Sequence, residues 1–206
     1  MYRSPARYAM NLQRYLVNQR NPTHMAKRVM IKPEVFINHR GTDTKRTIGT
    51  LLYDHLCWLN IRSFLDNKTM KPGDKLFDKI DSAIRSCKVG VAVFSPRYCE
   101  SYFCLHELAL IMESKKKMIP IFCDIKPSQL RVDQGNAQSC STKDLKRFQW
   151  ALEEAKNTVG LTFDSSKGNY SDVVTSASDI IIHSLMEIED EEQVQRQKKT
   201  QLTLYK

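Results

Sequence analysis

The chain has 206 residues, 41% of them hydrophobic, and a formal net charge of +9 at pH 7. That is room for one domain of ordinary size with flanking segments, and no apolar run approaches the ~20 residues that span a bilayer as a helix. Cys57, Cys87, Cys99, Cys104, Cys123 and Cys140 lie in apolar runs or helix faces, with no CxxC pair and no signal-peptide pattern. This usage is expected of reduced thiols in an intracellular compartment. The histidines form no HExxH or Cys/His cluster, which speaks against a metal site.

The charge is uneven. Residues 1–32 hold seven basic residues (Arg3, Arg7, Arg14, Arg20, Lys27, Arg28, Lys32) and no acid, which leaves 25 basic against 23 acidic residues in the remainder. The high isoelectric point therefore describes an arm, expected to be disordered. A solvated tail, an organelle transit segment within residues 1–30 and a nucleic-acid contact stay open as its role.

In chain order, Glu34–Asn38 reads as a first strand ended by Arg40-Gly41, followed by a helix over Lys45–Leu59 with Ile48, Leu51, Leu52, Leu56 and Leu59 at helical spacing. Ile61–Leu65 is a second short strand. Asp66–Gly73 is polar, and its Pro-Gly pair marks a turn; Asp74 is placed to cap a helix showing Leu76, Ile80 and Ile84. Val89–Phe94 is nearly all apolar and too short for a helix, so it reads as a strand buried on both faces. Ser95-Pro96 ends it, and Ser101 is the expected N-cap of the next helix. Met118–Cys123 is a fourth strand whose Pro120 suits a sheet edge or bulge. Lys126–Ser141 looks irregular, Lys143–Lys156 is helical with Leu145, Phe148, Leu152 and Ala155 on one side, and Val159–Phe163 is a fifth, edge strand. Asp172–Ile188 is a last amphipathic helix, and the charged segment 189–206 is expected to be disordered. Strands alternating with helices imply an α/β doubly wound parallel sheet of five strands, with helices on both faces and Phe94 and Ile121 central.

In the helix after the third strand, Cys104, Leu108, Ile111 and Met112 share one face. Glu107 projects between Phe103 and Ile111 at the edge of that apolar arc, His106 points away from it, and Glu113 lies on the outward face. Just past a strand's carboxyl end is where open α/β sheets hold ligands, and partial burial would raise the pKa of Glu107. A plain helix-surface glutamate remains the alternative. Other chemistry is sparse. Residues 41–47, GTDTKRT, lack the second glycine of a phosphate-binding loop, and there is no GxGxxG or GxSxG. Cys104 and His106 point apart, so a thiol nucleophile is weighed against a buried helix thiol.

Taken together, several ordered blocks resemble the TIR (Toll/interleukin-1 receptor) domains of plant immune proteins. They are Val35-Phe36-Ile37-Asn38-His39-Arg40-Gly41-Thr42-Asp43-Thr44-Lys45; Gly73, Ile80 and Ala83-Ile84-Arg85-Ser86; Val91-Ala92-Val93-Phe94-Ser95 with Tyr98, Ser101 and Cys104-Leu105-His106-Glu107-Leu108; and Ile119-Pro120-Ile121-Phe122 with Pro127-Ser128 and Arg131. The resemblance covers residues 33–188 and is to a TIR-only member, with no nucleotide-binding or leucine-rich-repeat segment following. It departs at Asn38 and His39, at Phe103 in place of the usual Trp, and at Thr50-Leu51 in place of the Ser-His pair used for self-association. The stretch after Arg131 is short, as though one family helix were trimmed.

The resemblance implies a flavodoxin-like fold and a NAD⁺ hydrolase of plant innate immunity and cell-death signalling, with NAD⁺ as substrate and no cofactor. Glu107 would be the catalytic carboxylate. Phe36, Arg40, Gly41, Thr42, Asp43, Thr44, Lys45, Gly73, Phe103 and Cys104 would bind substrate. Implied partners are further copies of the chain, other TIR domains and, through the products, downstream immune adaptor complexes. The implied location is cytoplasmic, with the nucleus and an organelle left open. Two alternatives stand: a non-enzymatic TIR–TIR interaction module, and a nucleic-acid-dependent cyclic-nucleotide synthetase using Cys104 with Glu107 and the basic arm.

Overall fold

The structure, a computed structural model, describes residues 32–204; the expectations placed on residues 1–31 lie outside the described residues. Five strands, β1 (Val35–His39), β2 (Ser63–Phe64), β3 (Val89–Phe94), β4 (Lys117–Cys123) and β5 (Leu161–Phe163), form one all-parallel sheet in the order β2-β1-β3-β4-β5. The expected five-stranded α/β sheet is present. After β1 the chain moves outward to β2, and after β3 it moves the opposite way to β4. The crevice between the carboxyl ends of β1 and β3 is thus the topological switch point, where this sheet order holds its ligands.

Side-chain alternation splits the core in two. Phe36, Ala92, Phe94, Met118 and Phe122 join a cluster with Ile80, Ile84, Leu105, Leu108, Phe148 and Leu152. The intervening residues Val35, Ile37, Val91, Val93, Ile119 and Ile121 are buried on the other face. Every residue of β3 is buried, as its unbroken apolar run requires of a central strand. Phe94 and Ile121 are both fully buried, back to back across the sheet.

The helices longer than one turn are α1 (Thr50–Trp58), α2 (Leu76–Ser86), α3 (Tyr102–Glu113), α4 (Gln134–Ser139), α5 (Thr142–Lys156) and α6 (Tyr170–Leu204), and a four-residue helical turn, Asp66–Thr69, opens the connection after β2. Several boundaries differ from the sequence reading. A short helical turn, Gly41–Thr44, and a π turn, Lys45–Gly49, precede α1, with Thr47 at φ −125°, ψ −120° breaking the run. Asp74 does not cap α2. Its carboxylate accepts the Lys71 backbone N–H at 3.0 Å, closing the Lys71-Pro72-Gly73-Asp74 turn, and Gly73 sits at φ +96°. Pro then Gly at the two central positions is type II turn chemistry, which outbids a helix cap two residues on. The 126–141 stretch is more regular than expected: it holds a 3₁₀ turn (Pro127–Gln129) and the six-residue α4. Pro120 lies in an interior strand, but at the residue before the β4–β5 ladder begins at Ile121, so its missing N–H breaks no bond to β5.

Residues 32–178 form one compact unit, and the 179–204 part of α6 belongs to a second. The segment expected to be disordered beyond Ile188 is helical to Leu204. It contains no Gly or Pro to stop the helix, and His183–Glu187 and Glu192–Arg196 form i,i+4 pairs at 3.0 Å.

Gly160 permits the approach of β5 to β4. A Cβ there would lie 2.4 Å from the Pro120 carbonyl oxygen and 2.5 Å from Pro120 Cγ. Neither the strand carbonyl nor the proline ring can swing away. Gly160→Ala is therefore expected to lower the urea midpoint, with a cost of about 1–3 kcal/mol for overpacking. Gly41→Ala, with nothing within 4 Å of its Cβ, should leave the midpoint in place.

Candidate active site at the β1–β3 crevice

Helix α3 starts where Ser101 Oγ accepts the Cys104 N–H at 3.3 Å, so the expected N-cap is present. The helix is held on more than one side, because Leu105, Leu108, Ala109, Leu110 and Ile111 are all buried with Cys104. That fixes Glu107 in the second turn, partly accessible and crowded by protein. Burial first, then the charges of Asp66 and Asp81, push its carboxyl well above the usual range. Each of those aspartates faces a histidine: Asp66 Oδ1 lies 3.6 Å from His39 Nε2, and Asp81 Oδ1 lies 3.2 Å from His106 Nε2. His106 turns toward α2 and is bracketed by the rings of Tyr102 and Phe77.

Cys104 knots β1 to α3. Its carbonyl accepts from Asn38 Nδ2 at 2.9 Å and from the Tyr98 hydroxyl at 3.1 Å, and its thiol donates to the His39 carbonyl at 3.5 Å. Burial first, then the charge of Glu107, lifts the Cys104 thiol to about 12. A thiol that stays protonated and donates inward is no nucleophile. The structure gives Cys104 a positional role, tying α3 to β1 through its carbonyl and its inward-facing thiol.

The loop after β1 is tied to the loop after β3. The Asp43 carboxylate accepts from Ser95 Oγ at 2.8 Å and from Arg97 Nη2 at 2.6 Å. Burial works to raise its pKa, but bonds from Ser95, Arg97 and Thr42 outweigh this and hold it below the usual aspartate range. Arg40 Nε donates to Thr42 Oγ1 at 3.1 Å and sits 3.7 Å from Asp43, while its Nη2 pairs with Glu100 at 3.0 Å. The backbone N–H groups of Asp43 and Thr44 both fold back on the Arg40 carbonyl, so they are not free donors. Thr44 is buried, its hydroxyl between the Arg40 carbonyl and His39 Nδ1. Gly41 and Thr42 are exposed, as is Lys45, which makes no ion pair among the described residues.

The other expected site residues divide. Phe103 is 45% exposed and stacks on Phe77 with ring centroids 5.4 Å apart, so an open aromatic face stands one helical turn from Glu107. Gly73 is an exposed turn glycine in the loop after β2 that begins at Asp66. Phe36 is only 1% exposed and stacks on Phe64 at 5.3 Å. It belongs to the core and not to the crevice wall, because even-numbered β1 residues point under α3. Glu113 is not a free outward acid: Arg147 of α5 clasps it with two bonds, at 2.6 and 2.9 Å, and these hold its pKa low. The sequence reading missed Asp66, Asp81, Phe77 and Glu100. Asp66 had a signal, since it opens the loop past β2, but the approach of Asp81 and Phe77 depends on how α2 packs on α3. Among the described residues no cluster fit for a metal ion exists.

The electrostatics of Glu107 give a stability expectation. Its folded pKa lies above the reference 4.5, so above that pH the unfolded chain releases a proton that the native state keeps. Native stability then falls as pH rises from the unfolded toward the folded pKa. Glu107→Gln removes this loss. Its melting temperature should match the native protein at pH 4 and exceed it increasingly toward pH 7; a difference flat with pH in thermal melts contradicts the assignment.

A family model for the TIR domain matches residues 33–203. The chain belongs to the TIR-domain family. This TIR protein is 53% identical over 158 residues to a Brachypodium distachyon protein described as a probable 2′ cyclic ADP-D-ribose synthase, covering 76% of this chain and 70% of that one. It is 30% identical over 169 residues to the Nicotiana glutinosa TMV resistance protein N, covering 75% of this chain but 15% of that one. The TIR domains of the activated Roq1 resistosome superpose with a TM-score of 0.64 at 27% identity, covering 71% of this chain and 98% of theirs. These relatives carry the resemblance to plant TIR proteins, and the TIR match runs past Ile188 along α6 to residue 203. Among the described residues no helix is long and apolar enough to cross a membrane.

Proposed function

We propose that this TIR protein cleaves the nicotinamide–ribose bond of NAD⁺ in plant immune and cell-death signalling, with Glu107 as the catalytic carboxylate. The observation that carries the reading is one acid fixed at the switch-point crevice by the buried turns of α3, one turn from the exposed ring of Phe103; burial, Asp66 and Asp81 disfavour its charge. An acid in that state gains most from a cation. The pyridinium of NAD⁺ supplies one, and its positive charge favours the ionised carboxylate of Glu107 beside the ribose. The C1′–N bond then breaks with its electron pair going to nicotinamide, which leaves neutral and needs no general acid. The positive charge that develops on the ribose is what the carboxylate stabilises. Water attacking C1′ and losing a proton gives ADP-ribose; a hydroxyl of the second ribose attacking instead gives a cyclic product. The latter is the product class named for the Brachypodium relative.

Phe103, with Phe77 behind it, offers a ring face for the base. Arg40 and Lys45 supply charge for the diphosphate. The reading includes self-association, with Leu51 and Trp58 of α1 exposed at 44% and 76% as an apolar surface, and a cytoplasmic location. Incubating the purified protein with NAD⁺ and quantifying nicotinamide, with Glu107→Gln alongside, tests it. No nicotinamide from the native protein at assembly-permitting concentration overturns it.

A further inference from the structure

Two arginines at the mouth of the crevice, unlike Lys45, are already neutralised from within. Arg97 is bound to Asp43 at 2.6 Å and Arg40 to Glu100 at 3.0 Å. The two carboxylates differ in how firmly they sit. Asp43 is buried to 10% side-chain exposure and also takes the Ser95 hydroxyl. Glu100 is 45% exposed at the end of the 3₁₀ turn Tyr98–Glu100, and Arg40 is the one partner found for its carboxylate among the described residues. Arg40 itself has two edges: Nε is aimed by Thr42 and Asp43, and the Nη2 edge carries Glu100. Loss of Glu100 therefore frees one edge of a guanidinium that stays oriented by the other.

We propose that Glu100 is a built-in competitor for a ligand's diphosphate at Arg40, and so sets the affinity of the crevice for dinucleotides. The inference rests on the NAD⁺ reading for its ligand class. The guanidinium fork binds carboxylate and phosphate oxygens through the same paired N–H geometry, so one anion must leave for the other to enter. Glu100 is the one that can, since its half-exposed carboxylate regains water as it swings out, whereas Asp43 would strand Arg97 and Ser95. Its role is positioning and not catalytic.

The test uses the full chain carrying Glu107→Gln, so that ligands bind without turnover, and measures ADP-ribose and adenosine by titration calorimetry. Adding Glu100→Gln is expected to tighten ADP-ribose about two- to fivefold, the range for releasing a partly exposed ion pair, and to leave adenosine, which has no phosphate, unchanged. In an Arg40→Ala background the same change should have no effect, because the competitor then has nothing to cover. Unchanged or weaker ADP-ribose binding, tightening of adenosine as well, or an effect that survives Arg40→Ala each overturns the proposal. Cleavage retained by Glu107→Gln alone would instead overturn the enzyme reading, whatever the calorimetry gives.

Discussion

Glu107→Gln is expected to reduce NAD⁺ cleavage by about 10²–10³-fold, the typical loss on deleting one preorganised electrostatic partner of a transition state. Glutamine keeps the volume and a hydrogen-bonding oxygen but has no charge for the developing ribose cation. The loss should appear in kcat, since the carboxylate acts on charge that forms only as the bond breaks. The fold should survive, because removing a crowded, charge-disfavoured acid relieves a cost. The matched control must be chosen with the structure in view. Glu113→Gln would disturb the α3–α5 clasp with Arg147. Glu154 on α5 is exposed, so Glu154→Gln should be silent in cleavage and stability alike. Near-native nicotinamide release by the Glu107 variant, or an equal loss in the Glu154 variant, refutes the assignment and leaves the interaction-module reading in front.

Phe94→Ala should be the most damaging single change to stability, at about 3–5 kcal/mol, the cost of a large aromatic truncated in a core that cannot close the cavity. Phe94 ends the central strand, is fully buried, stacks on Phe122 at 5.3 Å and meets the edge of Tyr98 at 4.7 Å. Tyr98 in turn bonds the Cys104 carbonyl. The cavity would therefore open beneath the 3₁₀ turn that carries Glu100 and leads into α3. Chemical denaturation should show a midpoint shift of that size. Cleavage should fall too, even below the transition, as Glu107 loses its fixed support. A loss under 1 kcal/mol would mean that Tyr98 and Phe122 close the gap, against the packing described.

The short strands were readable in the sequence to within a residue or two because a parallel sheet buried on both faces needs unbroken apolar runs, and Val89–Phe94 is one. Ser101 was readable as a cap for a similarly local reason: a hydroxyl reaches only the N–H groups of its own first turn. Asp74 failed as a cap because a competing local rule, the Pro-Gly turn, used its carboxylate first. The 126–141 stretch failed because polar residues without period carry no helix signal, and the end of α6 because a charged tail with no Gly or Pro looks alike as helix and coil.

By itself the sequence determined the order and type of the main elements and the position of one carboxylate just beyond the central strand. Those depend on contacts within a few residues, which periodicity records. Only the tertiary structure decided what surrounds Glu107. Asp66 comes from the loop after β2 and Asp81 from α2, each held near a histidine from a different element. Tertiary packing also sent Phe36 under α3 and closed the Cys104 thiol against His39. It placed Glu100 on Arg40, 60 positions away in the chain. Charges and hydrogen bonds act through space over a few ångströms, while sequence patterns report only neighbours along the chain. The acidity of the site, and which cation is open to a phosphate, are therefore properties of the fold.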